Sequence, residues 1–568
     1  MKSSQEKIPL TLLGVMLASL LILGGCSDTS MPSQDDQVVT IPVVTVPSSA
    51  EAIAVVISGS VIDQSTGNIV DNAIVSFFEG ASAATNIFDT NGDAITSPLS
   101  VSGGSFQVSA ENNITSFSVD VSAVDYLDSS LDINFAADDK TVVFQIALIP
   151  EAAKSVAVTV QEKTVNPQQL TDAVEVSTEA GGQDDPVGSA ELVIDQGTEL
   201  QDAQGNPVSG STLSVEVTYV ESQEAGASDD GEAISIANVI PEGLNGNTQG
   251  ADVLIPVGIA EINMSVGDAE VKKFSQAITV TINLPKETIF PSTGQEIEEG
   301  NQFTVRSYDE DTKLWTTEDS LATVGDLDGD VYPANFEVDH LTFFALADPV
   351  AACVSDVTFT FSGDQIPDNS LIMSLQSDEI YQSELLSSVD ANGAVLSATA
   401  DKFLPLSENT AAPGAASKEL GLAANAAATV TVKDLSGNVW YQSQPNISIC
   451  GQTIDVELDN PVETVSENLD ISLVCSNDSL VFNELQNAVV SYRKDNNSVA
   501  VLATEGAAGS YALTGLDLSA AEYSVTVDTR TSAGVQTTTI VPDGTDETLE
   551  VSIPCSVATG SGTGTGSS

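Results

Sequence analysis

Val70-Asp71-Asn72-Ala73-Ile74-Val75-Ser76-Phe77 and Leu485-Gln486-Asn487-Ala488-Val489-Val490-Ser491-Tyr492 match position by position in character, although they lie near opposite ends of the chain. Downstream of them, Gly104-Ser105-Phe106-Gln107-Val108 matches Gly509-Ser510-Tyr511-Ala512-Leu513, and Phe117-Ser118-Val119-Asp120-Val121 matches Tyr523-Ser524-Val525-Thr526-Val527. Order and spacing are nearly kept, so this is an internal repeat. Apolar and polar residues alternate within each stretch, with Gly, Asn or Asp between stretches, which predicts short strands joined by turns. A weaker copy starts at Pro367-Asp368-Asn369-Ser370-Leu371-Ile372-Met373 and continues through Asn392-Gly393-Ala394-Val395 and Thr429-Val430-Thr431-Val432.

The pattern extends from Ala54 onward, which predicts an all-β protein of several tandem antiparallel β-sandwich domains, immunoglobulin-like in architecture. A chain of 568 residues exceeds what one core can serve. The expected divisions are a signal peptide at 1–25, a flexible tether at 26–52, sandwiches at 53–150, 151–350, 351–460 and 461–556, and a disordered Gly/Ser/Thr tail at 557–568. Only Ala- and Leu-rich pieces around 411–428 read as helix-like.

Lys2 and Lys7 precede an uncharged run from Ile8 to Leu23, too short to span a bilayer comfortably but suited to a signal peptide. The run ends in Leu23-Gly24-Gly25-Cys26. This resembles the lipobox of bacterial lipoproteins, which implies that Cys26 carries the lipid after cleavage. Ser27, rather than Asp, follows it, and in the Gram-negative lipoproteins that this resembles the difference favours the outer membrane.

Removing residues 1–25 takes Lys2, Lys7 and Glu6 from 16 basic and 82 acidic residues. The net charge of the remainder stays near −67, which excludes a nucleic-acid binder, because phosphate contacts need clustered Lys and Arg. It also excludes electrostatic attachment to anionic lipid, leaving the acyl chains as the anchor. Self-repulsion of this size destabilises a compact state, and a salty medium with a Debye length below ~8 Å screens it. A marine or salt-tolerant source is therefore expected.

In the first repeat, Gly59-x-Val61-x-Asp63-x-x-Thr66-Gly67 is followed by Ala73-x-Val75, and later by Gly104-Ser105-Phe106. These stretches resemble the carboxypeptidase regulatory-like family of small transthyretin-like sandwiches, with Ile69-Val70 standing where the family usually has Pro-Leu. The resemblance implies non-catalytic spacers or binding units. The region 151–350 differs: Ile194-x-x-Gly197-Thr198-x-Leu200-x-Asp202, Val280-Thr281-Ile282-Asn283-Leu284-Pro285, Trp315 and the segment Val338 to Leu346 resemble the zonula-occludens/netrin-receptor and GAIN-type β-sandwiches.

Three candidate sites follow. His340, the single histidine, precedes Leu341-Thr342. The GAIN-type resemblance implies self-cleavage between Leu341 and Thr342, with His340 as base and the Thr342 hydroxyl as nucleophile; the alternative is a structural hairpin. Asp326, Asp328, Asp330 and Glu337 fall at positions 1, 3, 5 and 12 of a calcium-loop pattern, but Val331 stands where that loop needs Gly. Asp89-x-Asn91-Gly92-Asp93 is a similar fragment without the distal Glu, and polar β-turns in an acid-rich chain are the better explanation of both. Four cysteines remain beyond Cys26, an even number in an exported chain; pairing Cys353 with Cys450 and Cys475 with Cys555 would staple the last two sandwiches. Trp315 and Trp440-Tyr441 could stack on sugars, although core packing explains them better. No nucleophile–base–acid set beyond His340 is present. The reading is a non-catalytic envelope protein, lipid-anchored to the outer membrane and acting as surface spacer, adhesin or ligand-binding module, with an autoproteolytic protein, or a glycan- or calcium-binding accessory to an envelope enzyme system, as alternatives. Because self-repulsion opposes folding, melting temperature is expected to rise steadily with added sodium chloride in scanning calorimetry, and a flat response would contradict this reading of the charge.

Overall fold

The computed structural model describes Val43–Thr45 and residues 49–558, apart from 112–113, 136–139, 181–185, 223–235, 237–238, 242–243, 245–251, 310–311, 354, 356, 365–370, 378–380, 387–394, 397–422, 477 and 497. The signal sequence, Cys26, most of the tether, the start of the weak repeat copy and the tail from 559 lie outside the described residues. Among those described there is no α-helix; the chain is all-β, as the alternating pattern predicts. The helix-like composition around 411–428 is corrected at its end, where Ala427–Asp434 is a strand. The strand wins because Val430 and Val432 alternate with Thr429 and Thr431, burying one face at period two.

The first repeat is a two-sheet sandwich. Val55–Asp63 pairs antiparallel with Ser105–Ala110 and parallel with Thr141–Leu148. Facing it, Ser116–Ser122 lies between Ala73–Glu79 and Ser129–Asn134. Five phenylalanines fill the interior: Phe106 packs edge-on against both Phe77 and Phe144, and Phe117 contacts Phe77, Phe135 and Phe144. Gly59 pairs across the sheet with Phe106. A Cβ there would come to 2.1 Å from the Phe106 ring, so glycine is required for the ring to lie flat over the strand.

The last repeat has the same topology. Thr464–Cys475 pairs antiparallel with Ser510–Asp517 and parallel with Glu547–Ile553, while Tyr523–Asp528 lies between Val489–Arg493 and Val535–Ile540. The repeated residues occupy the same backbone states. Asn72 and Asn487 have φ of 61° and 58°, and the aligned Gly104 and Gly509 have φ of 66° and 72°. Asn tolerates the left-handed region better than other side chains, and Gly enters it freely. The weak copy keeps the frame: Thr358–Gly363 pairs parallel with Thr453–Leu458 and antiparallel with Val395–Leu396, and Leu371–Gln376 pairs with Ala427–Asp434.

Between the first and second copies stands a larger sheet whose hydrogen-bonded path runs through ten strands and folds over a core that includes Tyr219, Phe303 and Phe344. Its long strand Asp252–Val266 continues beyond this core, so that Val253 and Ile255 join the core of the next sandwich together with Val350 and Cys353. No linker separates the two there.

Both disulfides form, Cys353–Cys450 with Cα atoms 5.7 Å apart and Cys475–Cys555 with 5.4 Å. The parallel pairing explains the partners. Cys353 and Cys450 each precede a strand of one parallel pair, while Cys475 and Cys555 lie at the far end of another. Closing loops of 97 and 80 residues constrains the unfolded chain by about 4–5 kcal/mol each. Replacing both Cys353 and Cys450 by Ala should lower unfolding stability by an amount of that order in urea titrations, while a change under about 1 kcal/mol would show that the parallel frame holds unaided.

Candidate functional site

The sites suggested by the sequence are each absorbed into the fold. Strand Val331–His340 ends at His340, and Phe343–Ala351 begins after two intervening residues in a different part of the sheet, so Leu341 and Thr342 cross between them. Both are buried. The Leu341 N–H donates to the Lys272 carbonyl at 2.9 Å. The Thr342 hydroxyl donates to the Tyr308 carbonyl, a neutral acceptor that cannot remove its proton. His340 turns to the carboxylates of Glu318, at 3.5 Å from Nε2, and Asp339, at 3.4 Å from Nδ1, with its ring against Phe344. The structure thus does not bring the imidazole to the threonine hydroxyl. Because the hydroxyl donates to a carbonyl and His340 faces carboxylates instead, the purified chain should run as one band in denaturing electrophoresis, unchanged by Thr342→Val; a fragment beginning at Thr342 and lost in that variant would contradict this geometry.

Asp326, Asp328, Asp330 and Glu337 are not brought together. Asp328 and Val331 bond to each other across a tight turn, Gly329 has φ of 65°, and the strand then carries Glu337 away along the sheet. Asp330 takes an ion pair from Lys286 at 2.5 Å. Among the described residues, no three His, Cys, Asp or Glu side chains are grouped to hold a metal. The Asp89 fragment shows why such sequences arise here. Asp89 Oδ1 accepts the N–H groups of Asn91 and Asp93, and the same turn recurs at Asp202 with Gln204 and Asn206 and at Asp434 with Ser436 and Asn438. In all three, the glycine after the third residue has positive φ. These carboxylates close hairpins, as short polar side chains do in Asx turns.

Asp63, in the Gly59–Gly67 motif, is spent in the same way. Burial would push its carboxyl up, but the Ser65 hydroxyl, the Thr66 N–H, the Tyr126 hydroxyl and the Ser65 N–H together hold it below its ordinary value. Burial and the partnership with Asp63 push Tyr126 up to about 12. The tryptophans are core residues. Trp315 packs on Tyr308 and Phe343 and donates from Nε1 to the Pro241 carbonyl at 3.0 Å, and Trp440 is equally buried, with Nε1 3.4 Å from Asp434.

What the sequence did not disclose is a cavity of about 320 Å³ between the first sandwich and the large sheet. Its first wall is the outer face of the Ser116–Ser122 strand and its neighbours, where Ser76, Asp120 and Ser130 are cross-strand partners and Ile74 lies opposite Ser122. The second wall is another cross-strand row, Glu261, Phe343 and Tyr308. Val239 and Pro241 border it, Pro241 accepting the Trp315 bond. Lys313, held at φ of 57°, bridges the walls: its ammonium reaches Asp120 at 2.7 Å and sits 4.8 Å from the Phe78 ring centre. A cation in this position favours the aromatic face as well as the carboxylate. The first wall draws on the polar alternation of its strands, which by itself does not distinguish a site from a solvated face.

No known family profile matches the chain, and no curated protein matches it. Among solved structures, the chain is similar to the Bacillus anthracis TIE protein at 12% identity and a TM-score of 0.13, covering 70% of this chain and 57% of that protein, so it spans little more than half of that chain. It is similar to BcpA, the major pilin subunit of Bacillus cereus, at 8% identity and a TM-score of 0.13, covering 88% and 99%. A third is the pair of B repeat units of the Staphylococcus aureus collagen binding protein, at 10% identity and a TM-score of 0.11, covering 88% and 100%. Superpositions this loose assign no activity to the chain.

Proposed function

We propose that this chain is a non-catalytic cell-envelope lipoprotein, anchored to the outer membrane through Cys26, whose sandwiches serve as a surface spacer, adhesion or ligand-binding module. The first, third and fourth sandwiches would then be of the carboxypeptidase regulatory-like kind and the large sheet of the GAIN-type kind. The observation that carries the non-catalytic reading is the state of Thr342: the hydroxyl nominated as nucleophile is buried and donates to a backbone carbonyl. The cavity beside Lys313 is lined by serine hydroxyls, carboxylates and one ammonium, groups that suit hydrogen-bonded recognition of a ligand.

The anchor is supported by Leu23-Gly24-Gly25-Cys26 and by the charge. A chain with 82 acidic and 16 basic residues gains nothing from an anionic bilayer surface, so residence at the membrane depends on acyl chains. Cys26→Ser is expected to move the folded protein from the membrane pellet to the soluble fraction, with the wild-type melting profile retained. Continued sedimentation with membranes would overturn the lipid anchor.

A further inference from the structure

We propose that the cavity between the first sandwich and the large sheet holds a neutral saccharide, a proposal that rests on the ligand-binding reading and specifies its ligand. The charge of the walls selects against anions. Asp120, Asp128 and Glu261 border the cavity and Lys313 is the one cation among its described lining residues, so phosphates, sulfates and uronates meet net repulsion. A cationic guest gains less than the number of carboxylates suggests, because Lys313 already pairs with Asp120 at 2.7 Å and would repel a second ammonium, and Glu261 already accepts from the Asn263 amide at 3.1 Å.

A sugar uses both kinds of group. Its hydroxyls donate to carboxylates, the stronger class of hydrogen bond, and accept from the Lys313 ammonium and from serine hydroxyls, which can donate or accept. Ser76 and Ser130 flank Asp120 across the strands, so donors and acceptors alternate along one wall at the spacing of neighbouring strands, about 4.7–4.9 Å. Ile74 lies beside this row and is 39% exposed although it belongs to a strand, giving the C–H face of a sugar ring an apolar partner. A volume near 320 Å³ is at the small end of ligand cavities, suited to about one or two rings. The site lies between two bodies that the Lys313 contacts hold together, where binding cavities commonly form.

The test is titration calorimetry on the full chain in detergent with maltotriose, chitotriose and xylotriose. At least one should bind, with affinity falling about tenfold or more in Asp128→Asn and in Glu261→Gln, the loss expected for hydrogen bonds to charged groups. Asp326→Asn, distant from the cavity, should leave affinity unchanged, and added salt should alter it by less than about twofold, because no ligand charge is screened. Melting curves establish that each variant is folded; if Glu261→Gln melts early, Asp128→Asn alone decides. The proposal is overturned if none of the three sugars binds, if binding survives the folded variants, or if spermidine binds instead and is released by salt. Membrane release by Cys26→Ser is independent of all these results, so losing the saccharide would leave the anchored, non-catalytic reading standing.

Discussion

In a chain with 82 acidic and 16 basic residues, the contacts between sandwiches depend on where the few cations stand. Arg530 of the last sandwich donates from Nε to the Thr90 carbonyl and from Nη1 to the Glu51 carbonyl, both at 2.6 Å, and to Asn487 of its own sandwich at 3.1 Å. Arg493 lies against Gly103 of the first sandwich, where a Cβ would come to 3.0 Å from the guanidinium. Lys313 joins the first sandwich to the large sheet. Each of these cations faces a neighbouring sandwich and offsets the like-charge repulsion that packing acidic bodies together produces. Around them the contacts are apolar. Val143 packs with Val489 and Leu502, and Ile62 and Ile69 lie against the core of the last sandwich. The first and last sandwiches therefore meet, and the four are not beads joined only in sequence.

The contacts rest in turn on how each repeat closes. In all three copies the first strand pairs parallel with the last. A parallel pair enters and leaves at opposite ends, so the chain traverses each sandwich instead of returning to its entry point. In the third and fourth sandwiches a disulfide fixes that pairing from one end or the other. The first sandwich has no cysteine and is packed instead with phenylalanines along the same seam, Phe106 and Phe144 lying edge to face across Val55–Asp63.

Much of this was legible in the sequence where local chemistry decides it. The repeat was visible because Asn72 and Asn487, and Gly104 and Gly509, hold backbone states that few residues adopt. The disulfide partners were legible from their placement, and the buried tryptophans from the preference of large rings for cores. The two minority site readings, calcium and self-cleavage, rested on sequence spacing alone. The Asp326–Glu337 spacing matches a calcium loop only if the backbone curls around an ion, and a strand after a two-residue turn keeps running straight. His340 and Thr342 are neighbours in sequence, yet the crossover between strands points one at Glu318 and the other at Tyr308. The parallel closure, the Arg530 contacts and the cavity all join residues far apart in the chain, and alternation along a strand contains no record of which other strand will face it.

If these cations hold the first and last sandwiches as one body, hydrogen exchange of the full chain with Arg530→Ala will register their loss at the seam. Arg530 contacts the backbone at Glu51 and Thr90, while the core of its own sandwich is built on Tyr511, Val525 and Val527. Exchange should accelerate in peptides covering 50–56 and 88–93, with the strands Ser510–Asp517 and Tyr523–Asp528 unchanged. Identical exchange of 50–56 and 88–93 in the variant and the parent would contradict the account, leaving the sandwiches as independent bodies that merely lie side by side.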